Sequence, residues 1–541
     1  MADISKIKLE DTVYNIKDNG ARDGKINVAV FDKVSDMLAS TTLEAGSKAL
    51  TYGFYSAGDG GGALYLINED TTPTSVNGYD VLELGSGLIA SLVKDNINVK
   101  QYGAKGDNET DDIDAIQAAI SNNAGKAIFF PAGTYLISEP IEITVDDTSL
   151  IGENEKAIIK KTTDTASSYI GNYNENYFDF SSYPAIISVL FPKDENIARF
   201  TIENLNLTSN TDSRVNYGIV APHLSYSMVK GCRFNNLTTA ITLGGWCNTV
   251  SKCHSFTNTK PFYTEYAINT TVENCSSSLG SWDIKNAQEF YISGTQADNG
   301  NPSFLITNSS NVTLSGCATE TYSKVLRNVN SKVMVVGGDF EGHSASGVTF
   351  GGFFDNANNG VTIVEGATVR YNDVASLGTP ATTAVISCNT GEVVLKNPTF
   401  NLPYTYTVYV ASSGKAQIDD EFWSNESFVK NVRKLSNNFS ASGGEIIRLP
   451  FAYGTNYMMF VKSYGSVLHT ALSVNSVLNC CANGSSTVDQ EVDYEINSNN
   501  SSWHAKLTAT RDSDTNELVI AYTPTSGSSI QVDSVIEWYK M

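Results

Sequence analysis

One apolar position recurs through the middle of the chain at a nearly constant interval. Val229, Val250, Val272, Ile292, Leu314 and Val335 are separated by 21, 22, 20, 22 and 21 residues. Each opens a similar corner: Lys230-Gly231-Cys232, Ser251-Lys252-Cys253, Glu273-Asn274-Cys275, Ser293-Gly294-Thr295, Ser315-Gly316-Cys317 and Val336-Gly337-Gly338. Ile202 extends the series 27 residues earlier, and Ile363 and Leu395 extend it later, after 28 and 32 residues. A repeat this short cannot close a core alone, so it must stack on its neighbours and bury one continuous apolar column. Three short strands and three turns fit the period, and the stretch from about Ile202 to Thr368 reads as a right-handed parallel β-helix in an all-β chain. Leucine-rich repeats share the length but need a regular Leu-x-x-Leu-x-Leu pattern, which this stretch lacks.

The cysteines follow the repeat. Cys232, Cys253, Cys275 and Cys317 each take the third place after the anchor, and Thr295 fills the remaining step. Residues at one solenoid position stack about 4.8 Å apart. This predicts a buried ladder of small, soft side chains, and the lack of Cys-x-x-Cys argues against metal or redox work. Cys480 and Cys481 lie outside the ladder. Charged residues are 17 % of the chain and the net charge is −22, which argues against nucleic-acid binding and keeps copies of the molecule apart. No run of eighteen apolar residues occurs, so no membrane insertion is expected. The opening Met1-Ala2-Asp3-Ile4-Ser5-Lys6 has no signal-peptide core, so synthesis in a cytoplasm is expected. No cofactor is expected.

Four segments are read along the chain. Residues 1–25 form an arm whose alternating runs make two small strands, too small to stand alone, and it is expected to dock on something else. Residues 26–95 form a β-rich module around Gly58-Asp59-Gly60-Gly61-Gly62-Ala63. Three glycines in a row suggest a phosphate cradle, but a strand follows them and no Lys closes them, so a tight turn is the better reading. Residues 96–429 hold the capped β-helix. Its entry runs from Asn98-Val99-Lys100-Gln101-Tyr102-Gly103-Ala104-Lys105-Gly106-Asp107 to Ile113, Ile116 and Ile120, which share one helix face. Thr110 is the expected N-cap, with Asp111 and Asp112 favoured by the helix dipole. Such a helix would cover the open end of the solenoid. In residues 430–541 the register is lost, and apolar runs between Gly/Ser/Asn turns predict an antiparallel β-sandwich.

These segments carry a resemblance. The arm resembles the opening of tail proteins of phages that infect Gram-positive bacteria, and the Gly58–Ala63 segment resembles one that precedes the β-helix of phage tailspikes. The entry from Asn98 to Ile120, with Ala127-Ile128-Phe129-Phe130-Pro131-Ala132-Gly133-Thr134-Tyr135, resembles that of pectin-lyase-like β-helix proteins. To about residue 400 the chain is similar to a phage tailspike or receptor-binding tail protein. The resemblance implies a homotrimer on the virion, joined to other tail proteins through the N-terminal arm. It also implies binding, and cutting, of a bacterial surface polysaccharide. No diagnostic catalytic motif is present. The Tyr/Asn-rich excursion from Tyr169 to Phe180 either packs on the solenoid or walls a glycan groove.

Six residues after the anchors come Asn235, Phe256, Ser278, Asp298, Glu320 and Glu341. The last three place carboxylates on consecutive rungs, neighbours about 5 Å apart and the outer pair about 10 Å apart. Asp339 shares the side of Glu341. Stacked like charges repel, so one member should have a raised pKa. Glycoside hydrolysis uses two carboxylates about 5 Å apart for retention or roughly 6.5–9.5 Å apart for inversion. Asp298, Glu320, Glu341 and Asp339 are therefore the candidate catalytic residues. Trp282 and Tyr322, in neighbouring corners, could stack on sugar rings, while Asp283, Lys324 and Arg327 could orient carboxylates or hydroxyls. A solvated acidic face and an oxygen-lined cation site stay open beside the catalytic reading. Lys324, Arg327 and Tyr322 would serve a lyase. A polysaccharide depolymerase, a binding-only adhesin and a structural tail component are the competing functions.

Overall fold

The computed structural model describes backbone and side chains for most of 28–418, and backbone strands at 6–9, 12–15 and beyond 418 to 540. Residues 1–5, 10–11, 16–27, 70–75, 174–175, 193–194, 210–215, 344–349, 373–382 and 402–405 lie outside the described part, as do the links between the later strands.

The chain winds as a parallel β-helix. One buried column passes, one residue per turn, through Ile128, Leu150, Ile202, Val229, Val250, Val272, Ile292, Leu314, Val335, Val364 and Leu395. Ten steps of about 4.8 Å give a column about 48 Å long. A third face is a parallel sheet whose strands stack in chain order from Asp107–Asp111 to Thr399–Asn401. The predicted register holds with one correction: Val364, not Ile363, pairs with Val335. Alternate strand residues face opposite ways, and Ile363 pairs instead with the outward Met334.

The corner after each anchor has one cause. The second residue beyond the anchor is left-handed at every turn from Asn204 to Asn397, with φ of 57° at Asn204, 63° at Gly231, 53° at Lys252, 52° at Asn274 and 54° at Gly294. Gly and Asn dominate there because they accept positive φ with the least strain. The third residue then turns inward. Cys232, Cys253, Cys275, Thr295 and Cys317 are buried there, the cysteines as free thiols. Three of the thiols reach carbonyls two residues back, Lys230, Ser251 and Glu273, each at 3.4 Å.

The column is capped at its start by the helix Ile113–Ser121, which buries Ile116 and Ile120. Thr110 is not its N-cap: it lies in the strand Asp107–Asp111, and its hydroxyl donates to Asp107 at 2.9 Å. Asp112 precedes the helix, but its carboxylate accepts the Lys105 and Gly106 N–H groups at 2.7 and 3.0 Å and so pins the entry loop. Asp111 takes the Ile113 N–H at 3.2 Å instead.

Upstream, Val28–Phe31, Lys48–Thr51, Leu64–Glu69, Val81–Glu83 and Leu88–Leu92 form a five-stranded sheet. The glycine run there is a turn built on a carboxylate. Asp59 accepts N–H groups from Phe54, Tyr55, Ser56 and Gly61, at 3.1, 2.7, 3.0 and 2.8 Å. A β-carbon on Gly61 would lie 2.6 Å from the Lys100 carbonyl oxygen. With the loop's amides turned onto Asp59, they are not offered to a phosphate. Strands Lys6–Leu9 and Thr12–Asn15 pair antiparallel. Beyond residue 428 the strands form two antiparallel sets, one joining Phe428–Phe439, Ile530–Lys540, Asn456–Val467 and Thr470–Cys481, the other the four-stranded sheet from Gly444–Pro450 to Gln490–Ser498. The side chains that would pack them as a sandwich, and those of Cys480 and Cys481, lie outside the described residues.

Candidate functional site

The acidic positions come together on the third face. Glu320 pairs with Glu341, which pairs with Arg370 on the next turn. Asp298 sits one turn before Glu320 and accepts the Glu320 backbone N–H at 3.0 Å and the Gln296 amide at 2.8 Å. Burial is the main force raising the Asp298 carboxyl above the usual range; the Glu320 charge adds to it, and the Glu320 N–H opposes it. Asp339 shares Arg370 with Glu341: the guanidinium is 2.6 Å from Asp339 and 3.0 Å from Glu341.

Two residues that sequence reasoning left out complete the cluster. His343 is 8 % exposed and points the same way as Asp339 and Glu341, since all three alternate along the strand Asp339–His343. Its Nδ1 is 3.6 Å from Glu341, and its Nε2 is 3.1 Å from Glu320 but not aligned for a hydrogen bond. The alternation was visible in the sequence; Arg370 was not, because it follows Glu341 by 29 residues where Glu341 follows Glu320 by 21. Tyr322, 41 % exposed, lies with its ring centre 5.5 Å from that of His343. It is the one member of the predicted binding set beside the acidic cluster.

The others sit elsewhere. Trp282 is in the core, 3 % exposed, stacked on Phe262 with Nε1 donating to Ser277 at 2.9 Å, so its ring has no free face for a sugar. Asp283 lies on another sheet, paired in register with Tyr263 and bound to Lys260 at 2.7 Å. Lys324 and Arg327 both turn to the buried Asp355, at 2.5 and 3.5 Å. Two cations share that one carboxylate, so the group keeps a net positive charge.

The excursion packs on the solenoid and also walls a cavity. The hairpin of Ile170–Tyr173 and Asn176–Asp179 anchors through Phe180, which is buried against Phe191 and Tyr169. Its outer aromatics, Tyr177 and Phe178, with Tyr183, wall a cavity of about 250 Å³ floored by Thr242, Tyr263 and Glu265.

Residues 96–289 match the family described as rhamnogalacturonase A/epimerase, pectate lyase-like. The helical column is a pectate-lyase-like β-helix. Among solved structures, a tailspike of an Acinetobacter phage is similar over 93 % of this chain and 94 % of its own, at 16 % identity and a TM-score of 0.61. Tailspike protein 2 of an Escherichia coli O157:H7 bacteriophage is similar over 98 % of this chain and 85 % of its own, at 12 % identity and a TM-score of 0.51. At such identities the likeness is one of fold. The preneck appendage protein of Bacillus phage PZA is 37 % identical over 90 residues, 16 % of this chain and only 10 % of that protein.

Proposed function

We propose that this chain is a tailspike-type phage protein that binds a bacterial surface polysaccharide and cleaves it by glycoside hydrolysis at the acidic face. The observation that carries the reading is the contrast within the cluster. Asp298 is biased by burial toward the protonated form, whereas Glu341 and Asp339 are matched by Arg370. A raised carboxyl beside charged ones is the division of labour that glycosidic cleavage needs. Asp298 is the proton donor to the leaving oxygen, Tyr322 supports the sugar ring, and His343 and Arg370 hold the remaining carboxylates in place. Glu320, one rung away at about 5 Å, suits a retaining nucleophile; Glu341, two rungs away at about 10 Å, stands at the upper edge of the spacing for an inverting base. The anomeric form of the first product assigns the partner: retention selects Glu320 and inversion selects Glu341. The same reading expects attachment to the virion through the N-terminal arm and assembly as a homotrimer.

The test is release of reducing ends from surface polysaccharide of bacteria that the protein binds. Asp298→Asn and the Glu→Gln variant of the assigned partner should each lose about 100-fold or more in rate while still binding cells. The wild-type rate should fall as pH rises through the raised Asp298 titration, because the donor then loses its proton. A wild type that binds tightly and releases nothing would leave the second reading, an adhesin, which the aromatic cavity by itself favours.

A further inference from the structure

We infer that the cavity under the Tyr177–Tyr183 excursion is a separate, non-catalytic site for one uncharged glycosyl unit of the polysaccharide. This rests on the glycan-binding reading above but not on the cleavage reading. The cavity spans the turns that carry Tyr217–Ser225, Thr239–Trp246 and Lys260–Glu273, whereas the acidic face begins two turns later and lies on another sheet. The centres of the two sites are three to four rungs apart, about 15–20 Å along the axis. One chain of several sugars could occupy both.

The wall and floor state the ligand's chemistry. Phe178 and Tyr183 are stacked at 5.0 Å, and Tyr177 and Tyr266 are 64 % and 49 % exposed at the rim. Aromatic faces with polar tips suit the C–H face of a pyranose, with hydroxyls at its edge. Glu265 is already satisfied on three sides, by Lys285 at 2.8 Å, Tyr263 at 2.7 Å and Asn286 at 3.3 Å. Burial pushes its carboxyl up, but those hydrogen bonds outweigh burial and hold it below the usual range. Its charge is cancelled by Lys285, and burial drives His223, on the cavity wall, down to about 4, so His223 adds no charge at neutral pH. With no net charge to offer, the cavity favours neither a uronate nor a phosphate. Thr242 on the cavity floor is 4 % exposed, and its hydroxyl is buried beneath the cavity surface with no hydrogen-bond partner among the described residues, so the aromatic wall is what would hold the sugar.

The experiment titrates full-length protein with methyl glycosides of a hexose, a 6-deoxyhexose and an N-acetylhexosamine, and with methyl uronosides, followed by protein-observed NMR. At least one neutral glycoside should bind, more tightly than every uronoside. Tyr177→Ala and Tyr266→Ala, both at exposed rim positions, should each weaken binding about fivefold or more. Glu320→Gln should leave it unchanged. Absence of binding to all neutral glycosides, tighter binding of a uronoside, or a loss caused by Glu320→Gln and not by the rim variants would each overturn the inference. A protein that passes here yet releases no reducing ends would lose the cleavage reading alone.

Discussion

Lys161 shows what burial does to a single charge in this column. The residue is 0 % exposed, and its nearest acceptor, the Ser138 carbonyl, is 3.5 Å away. Burial drives its pKa from 10.5 down to about 8, although Glu139, Asp111 and Asp164 act the other way. Between those two values the unfolded chain holds more protons than the folded one, so stability rises with pH across that window. At neutral pH, below both values, the buried charge costs on the order of 3 kcal/mol. Lys161→Met is therefore expected to raise the denaturant midpoint at pH 7, with a gain that shrinks as pH climbs from 8 toward 10.5. A variant less stable at pH 7 would refute this account. Asp298 shows how far a residue's chemistry could be read beforehand. Spacing correctly predicted one raised carboxyl in the ladder, but from like-charge repulsion; the larger cause is burial, which no spacing reveals.

At the scale of the element, the repeating corner explains itself once its backbone is seen. Lys252 stands at a left-handed position where Asn274 and Asn397 stand on other turns, with φ of 53° against 52° and 49°. A lysine pays a steric penalty there of about 1 kcal/mol that Asn partly escapes. Lys252→Asn should raise the denaturant midpoint by roughly 0.5 kcal/mol equivalent with no change in glycan binding, a result that equilibrium unfolding can check. The sequence pattern showed Gly, Asn and Lys alternating at this place without saying why; φ supplies the reason. The entry helix shows the reverse. Its apolar face was legible, but Thr110 failed as N-cap because Asp107 holds its hydroxyl and Asp112 turns away to bind the loop at Lys105 and Gly106.

For the whole molecule, the expected homotrimer is a matter of mass. If the tailspike reading holds, sedimentation should give three times the chain mass of 58.3 kDa, and raising salt should favour association by screening the net charge of −22. A chain that sediments as a monomer at micromolar concentration would count against that assembly.

Periodicity determined the solenoid, the buried thiol ladder and the consecutive carboxylates, because a stacked repeat places equal positions on neighbouring rungs. Only the tertiary structure decided which polar residues meet across unequal turns. Arg370 reaches Asp339 and Glu341 over a lengthened turn, and His343 leans between Glu320 and Glu341. Trp282 turned inward because its strand position alternates to the core, where Phe262 and Ser277 receive it. The cavity was hardest to foresee, since it joins the Tyr177–Tyr183 excursion to Thr242 and Glu265, residues far apart in sequence that only the coil brings together.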